Sequence, residues 1–320
     1  MQQINANRGR VGCDGVYREW REIEMMFKVT YGQDILDRLR VLLDQELKKP
    51  KREAKKVDLL EWCIENTPHW LVDSPEELEK VVARVNVDYK KLLKNDKKWR
   101  KELQAAYDYD HKKLLDLANW LYVKTCPYCN MQYTLFLQGH TRTKTMAKFQ
   151  FDHFYPRSKY PMLSMSLYNL IPSCASCNQG KSSGTNLSLA FHPYHSAIKD
   201  AFRFRITNPE PLLRGVEVEV EKIEMIPLIE KAKADEFEKT FHVKALYQHH
   251  KDIAQDVFYR AYLSSYYTYR KNFLFLKDRK LLRRLMMGFY PEKEDIEKRP
   301  LTKLQQDLWE QAKGIKIKKI

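Results

Sequence analysis

The sequence predicts an α+β protein: a mostly helical chain with a central, cysteine-stapled module of two strands and a short helix, followed by a small β-ribbon. Three observations lead there. Apolar residues recur at helical spacing on both sides of the middle, as in Ile35, Leu36, Leu39, Leu42 and Leu43. Four of the six cysteines form two Cys-x-x-Cys pairs, Cys126/Cys129 and Cys174/Cys177, and the chain between them turns to short aromatic, β-favouring runs. Beyond them, FRFRI (202–206) and VEVEVEKIEMI (216–226) alternate strictly, as two half-buried strands do.

In order, residues 1–15 are polar and are expected to be a flexible arm. Residues 16–124 read as an N-terminal helical region. In it the basic run KKPKREAKK (48–56) is better read as a solvated interhelix linker than as a nucleic-acid contact. Ser74-Pro75-Glu76-Glu77 has the cap, first-turn proline and acid of a helix start, and a break is expected near Asn95. Residues 125–200 form the central module, with strands at 132–137 and 148–154, the basic turn QGHTRTKT between them, an extended stretch at 168–171 and a helix at 174–182. The ribbon occupies 201–228. A C-terminal helical region, 229–320, carries Tyr259, Tyr262, Tyr266, Tyr267 and Tyr269, whose helical spacing favours packing over base stacking, and ends in the Lys-rich GIKIKKI.

Composition narrows the function classes. With 43% hydrophobic residues, the 320-residue chain can bury a real core in one large domain or two to three smaller ones. A formal charge of +15 suits a polyanionic partner. Six cysteines in a chain this long do not make a secreted disulfide scaffold, and the paired spacing is that of a metal site in a reducing compartment. The polar start MQQINANRGRVG has no apolar signal-peptide core, and no apolar run approaches the roughly 20 residues that span a bilayer. A cytoplasmic protein with no membrane partner is expected.

The cysteines point to zinc. Each Cys-x-x-Cys turn presents two thiolates, and two such turns complete a tetrahedron. The 44 residues between Cys129 and Cys174 exceed the loop of a simple zinc ribbon, so the loop must hold structure of its own. Four thiolates leave no open position, so Cys126, Cys129, Cys174 and Cys177 are expected to bind structural Zn²⁺. Cys13 and Cys63 stand apart.

That loop also concentrates the chemistry. From 126 to 199 there are seven Lys and Arg residues and one acid, Asp152, which suits a bound cation. Phosphodiester hydrolysis needs a base for water, a cation against the charge building on phosphate, and donors for the scissile group. His153 can be the base, since neutral imidazole is available near pH 7. Asp152, pointing to the other side of a regular strand, and the amide oxygen of Asn178 can hold Mg²⁺ or Mn²⁺. Lys181, three residues after Asn178, can share a helix face with it and reach phosphate. Asn169 can bond across the loop and hold the His153 backbone.

Cys-x-x-Cys, then Asp-His-x-x-Pro, then Asn-Leu-x-x-x-Cys-x-x-Cys-Asn-x-x-Lys resembles the HNH endonuclease family and its zinc-stapled ββα-metal centre. The resemblance implies His153 as general base, Asp152 and Asn178 as catalytic-metal ligands, Asn169 as the residue constraining the active loop, and the four cysteines as the zinc knuckle. It covers about 126–182. SKYPMLSMSLY stands where many members have a Gly-containing loop, and His192 and His195 follow the motif closely, more in keeping with a polar turn than with further ligands. The ending GFYPEKEDIEKRPLTKLQQDL is similar to bacterial HNH subunits encoded beside an ATPase in Septu-type and retron-linked anti-phage systems. That implies an ATPase partner, or a homodimer, and a role in defence.

Two readings result: a metal-dependent endonuclease acting on DNA, with RNA left open, and a zinc-stabilised nucleic-acid-binding or partner-docking module without catalysis. The second explains the cysteines and the charge but leaves Asp152, His153, Asn178 and Lys181 at nuclease spacing without a reason.

Overall fold

The structure, a computed structural model, describes residues 3, 4, 6, 9–108, 114–139, 141, 145–182, 185, 187–195, 198, 200–265 and 279–315. By internal contacts the chain divides into two units.

One unit comprises Ile4–Val123 and Thr134–Ser196. The described residues of 1–15, the stretch expected as a flexible arm, make contacts of their own. Ile4 is fully buried, and β1 (Arg10–Val11) pairs antiparallel with β2 (Tyr17–Arg18). Between these strands Asp14 meets Arg18 at 2.6 Å, and that guanidinium holds its carboxyl well below the usual carboxylate range. Helix α1 (Trp20–Leu47) buries Trp20, Ile23, Phe27, Tyr31, Ile35 and Leu39, a stripe at three- and four-residue spacing that faces α2 (Ala54–Trp70). At Gly32 a Cβ would come within 3.2 Å of Leu71, so glycine permits the close approach there. Helix α3 (Pro75–Arg84) starts as expected, with the Ser74 hydroxyl accepting from the Glu77 N–H. The break expected near Asn95 is a cap: α4 (Lys90–Asn95) ends, and the Asp96 carboxylate accepts from Trp99 N–H at 2.9 Å to open α5 (Lys97–Ala106). Helix α6 (Leu114–Leu121) follows.

The strands of this unit come in two further antiparallel pairs. β3 (Leu135–Leu137) pairs with β4 (Met146–Lys148), and β5 (Gln150–His153) pairs with β6 (Leu170–Ser173), which leads into the short helix α7 (Ala175–Gly180). The single strand expected at 148–154 is therefore two, parted at Phe149. Aromatic patterning runs through that residue, but the pairing partner changes there, and periodicity does not report partners. Arg142, Lys144 and Lys199 lie outside the described residues.

The other unit comprises Lys124–Tyr133 and Ala197–Ile320, with Met1–Gln3. Its ribbon is β7 (Phe202–Ile206) against β8 (Ile223–Pro227). The strand expected at 216–226 is confined to its end. β7 offers five residues and is followed by α8 (Pro209–Leu213), so 216–222 have no strand beside them, and the Asn208 side chain instead bonds the backbone of Glu219 and Glu221. Helices α9 (Lys231–Phe241), α10 (Val243–Tyr247), α11 (Lys251–Ser265), α12 (Arg279–Met287) and α13 (Thr302–Gly314) complete the unit. α13 fastens β7: Asp307 and Gln311 accept the backbone N–H groups of Phe204 and Ile206 at 2.9 Å each. Tyr247 stacks on Phe204 at 4.3 Å to build the core under the ribbon.

Tyr259 donates to the Val216 carbonyl, and Tyr262 lies against Gly215, where φ is +74° and a Cβ would meet the ring at 2.9 Å. Both are half-buried packing residues on this turn. Tyr266, Tyr267, Tyr269 and the lysines of the C-terminal tail lie outside the described residues. Among the described residues, no helix is long and apolar enough to cross a membrane.

Candidate functional site

The first cysteine turn is held from below by Asn130. Its backbone is left-handed, φ +51°, and its N–H closes the turn onto the Cys126 carbonyl at 2.8 Å. Its side chain is fully buried: Oδ1 accepts from Lys303 N–H, and Nδ2 donates to the Ile296 carbonyl and to Thr125 Oγ1. Tyr247 Oη donates to the Cys129 carbonyl at 2.6 Å, and Met131 N–H points at Cys129 Sγ at 3.4 Å. The second turn begins α7: Cys174 is its N-cap residue, and its carbonyl accepts from Asn178 N–H.

Cys126, Cys129, Cys174 and Cys177 are buried, and their Sγ atoms lie within 4.8 Å of one another. Zinc with Zn–S bonds of about 2.3 Å has S···S edges of about 3.8 Å, so small rotamer adjustments bring the cluster to a tetrahedron. Four buried thiols with no disulfide among them fit a soft cation such as zinc. Cys63, by contrast, is enclosed alone, and burial pushes its thiol up to about 12.

The β5–β6–α7 junction gathers the remaining candidates. Strand alternation puts Gln150 and Asp152 on one side of β5 and Phe151 and His153 on the other. α7 meets the first side. Asn178 Nδ2 donates to Gln150 Oε1 at 2.6 Å, and Lys181, three residues on, reaches Asp152. Lys181 Nζ lies 3.1 and 2.9 Å from the two Asp152 oxygens and also donates to the His153 carbonyl. Both side chains are nearly sealed, at 2% and 6% exposure. The ammonium also lies 5.6 Å from the centre of the Phe154 ring. Burial lowers the Lys181 pKa, and the Asp152 charge opposes that shift.

On the other side of the strand, His153 Nε2 lies 3.1 Å from the Ser164 carbonyl. A carbonyl only accepts, so Nε2 carries the proton and Nδ1 the lone pair. Desolvation holds the ring at about pKa 4, Asp152 pulling it up and Arg157 pushing it down. The imidazole is therefore neutral at pH 7, the form that can accept a proton. Fully buried Asn169 clamps the loop between the strands: Oδ1 accepts from Tyr155 N–H at 2.7 Å, and Nδ2 donates to the carbonyls of Tyr155 at 3.1 Å and Leu163 at 2.8 Å. The clamp grips the chain two residues beyond His153, not His153 itself. The Asn169 carbonyl accepts from Phe154 N–H, carrying the pairing one residue past β5.

Asp152, His153, Asn169, Asn178 and Lys181 thus meet around one strand pair and one helix. The oxygen donors expected to hold a divalent ion, the Asp152 carboxylate and the Asn178 amide, are of the right chemistry and lie on the same side of β5. Their occupancy is not: Lys181 takes both carboxylate oxygens, and the pair is already neutral. His192 lies beside this chemistry: desolvation lowers its pKa, and the charge of Lys181 adds to that shift. His192 is fully buried, 4.2 Å from the Phe154 ring centre, and His195 Nε2 lies 3.4 Å from Glu76 Oε1.

Sequence reasoning did not single out Asn130, Gln150, Phe154 or Ser164. Asn130 had a legible signal, an Asn directly after Cys-x-x-Cys where a left-handed residue ends the turn. Ser164 acts through its carbonyl, which any residue supplies, so no sequence signal marks it. No protein-family model, curated protein or solved structure matches this chain.

Proposed function

We propose that the β5–β6–α7 junction is the catalytic centre of an HNH-type endonuclease that hydrolyses phosphodiester bonds in DNA. The observation that carries this reading is the state of His153: a neutral imidazole whose tautomer is set by the Ser164 carbonyl, leaving Nδ1 as the acceptor. In this reading His153 Nδ1 takes the proton of the attacking water. Asn169 keeps the loop after His153 in register, and the Ser164 carbonyl keeps the ring from turning. Attack on phosphorus with departure of the 3′ oxygen leaves 5′-phosphate and 3′-hydroxyl ends. Mg²⁺ or Mn²⁺ on Asp152 and Asn178, when bound, would supply positive charge against that building on the phosphate. Zinc on the four cysteines would be structural.

The charge of +15 supports a nucleic-acid substrate held mainly by its backbone. One centre cuts one strand, so a double-strand break requires a second copy, a partner or a second event. The resemblance of the C-terminal segment supports a cytoplasmic anti-phage effector working with an ATPase subunit.

Plasmid cleavage by the full chain with Mg²⁺ or Mn²⁺, wild type beside His153→Ala, tests the reading. Wild type should nick or linearise the plasmid, and the variant should retain binding while losing on the order of 10²–10⁴ in rate. The second reading, a zinc-stabilised binding module without catalysis, is favoured by one observation, the Lys181 ammonium on Asp152. Wild type that binds DNA and cuts none, alone or with the product of the neighbouring gene, establishes that reading and ends the first.

A further inference from the structure

We infer that Lys181 is the resident cation of the Asp152 site, so that a divalent ion enters only by displacing it. The inference rests on the proposed metal-dependent centre and adds a condition on how that centre loads.

Three features distinguish this pair from an ordinary surface ion pair. Both side chains are sealed from water, at 2% and 6% exposure, so neither charge is screened. The ammonium is satisfied by three oxygens, two from Asp152 and the carbonyl of His153, while the Phe154 ring lies 5.6 Å from it. And Asp152 is the only acid between residues 126 and 199, and its charge is the one that acts on the Lys181 ammonium. As it stands the pair is neutral. Adding a divalent ion while the ammonium stays would leave two uncompensated positive charges in a desolvated pocket. The ammonium must leave as the metal arrives.

The fold allows that exchange. Lys181 is the residue just past α7, with extended backbone (φ −80°, ψ 94°). Only its N–H, bonded to the Cys177 carbonyl, belongs to the helix. Its side chain can therefore swing away without unwinding α7 or disturbing the cysteine turn. A phosphate group offers the departing ammonium a new anionic partner. Metal and nucleic acid should accordingly each strengthen binding of the other.

Mn²⁺ titration followed by electron paramagnetic resonance tests this on the zinc-loaded full chain, with no substrate and no turnover. The proteins are wild type, Lys181→Met, Lys181→Gln, Lys181→Arg and Asp152→Asn, each checked for zinc content and melting temperature. Lys181→Met and Lys181→Gln should bind Mn²⁺ at least about tenfold more tightly than wild type, because the competing charge is gone. Lys181→Arg should stay as weak as wild type, and Asp152→Asn should lose the site. Equal or weaker binding in both neutral variants, with zinc and melting intact, overturns the inference and leaves the metal-dependent reading standing. Mn²⁺ binding in no variant, or binding that survives Asp152→Asn, overturns both.

Discussion

The side chain of Asn169 and the backbone of Tyr155 form a reciprocal clamp, Oδ1 accepting from the N–H at 2.7 Å and Nδ2 donating to the carbonyl at 3.1 Å. A third bond, to Leu163, ties the far end of the loop to the same amide. This one residue sets the path of the chain between β5 and β6, and with it the approach of the Ser164 carbonyl to His153.

Asn169→Ala removes three bonds at a fully buried position, at about 1–3 kcal/mol for each group left unpaired. Urea unfolding should show a loss of about 3 kcal/mol, with the midpoint moving and the slope unchanged. Asn169→Asp should rescue nothing, because its second oxygen would face the carbonyls of Tyr155 and Leu163. An Asp variant as stable as wild type at pH 7 would contradict the clamp.

Cys174→Ser should cost the metal. Structural zinc supplies on the order of 10 kcal/mol to small units that it staples, so zinc content should fall toward zero and the melting transition should drop or broaden. Full zinc with an unchanged transition would refute the assignment of the cluster.

Asn130 separates backbone from side chain at the first cysteine turn. Asn130→Gly keeps the left-handed backbone and loses only the bonds to Lys303, Ile296 and Thr125. Asn130→Ala loses those bonds and adds about 1–2 kcal/mol of backbone cost. Chemical denaturation should therefore rank wild type above Gly and Gly above Ala, and an Ala variant at least as stable as Gly would count against a backbone role.

Acid should weaken the fold before the carboxylates titrate. Burial lowers His153 to about 4 and lowers His192 well below its ordinary value. The unfolded chain, with histidines near 6.5, binds more protons over this range. The stability that these groups contribute is complete above about pH 6.5 and is lost as pH falls toward 4. Urea midpoints should fall between pH 7 and pH 5, and His153→Gln and His192→Gln should each flatten that fall. If cleavage is base-catalysed by His153, its acid limb should lie near 4 to 5 and not near 6.5. A rate halved at pH 6.5 would contradict the desolvated neutral ring.

The pattern of spacing carried much of this into view before any coordinates. Two Cys-x-x-Cys pairs point to a metal site because thiolates with two residues between them share one turn, and the structure brings all four sulfurs together. The three-residue step from Asn178 to Lys181 carries both to the same side of β5: Asn178 meets Gln150, and Lys181, which follows α7 on extended backbone, meets Asp152. The extent of the ribbon was less legible. Glu-Val alternation continues through 216–222, but a strand exists only where another lies beside it, and β7 is five residues long. The contacts of residues 9–15 were not legible either: they find partners in Tyr17, Arg18 and Asn119, which composition does not show.

By itself, the sequence determined residue types and local spacing: which side chains can take a proton, hold a soft cation or pair with a phosphate, and which of them share a turn or a helix face. Tertiary structure alone decided what those groups do to one another. Asp152, alone among bases in sequence, is in space the partner of Lys181, and the base expected for phosphate occupies the cation position of that acid. Distance and desolvation decide that outcome, since the strength of a charge pair depends on separation and on the water excluded around it, and neither is written in the order of residues.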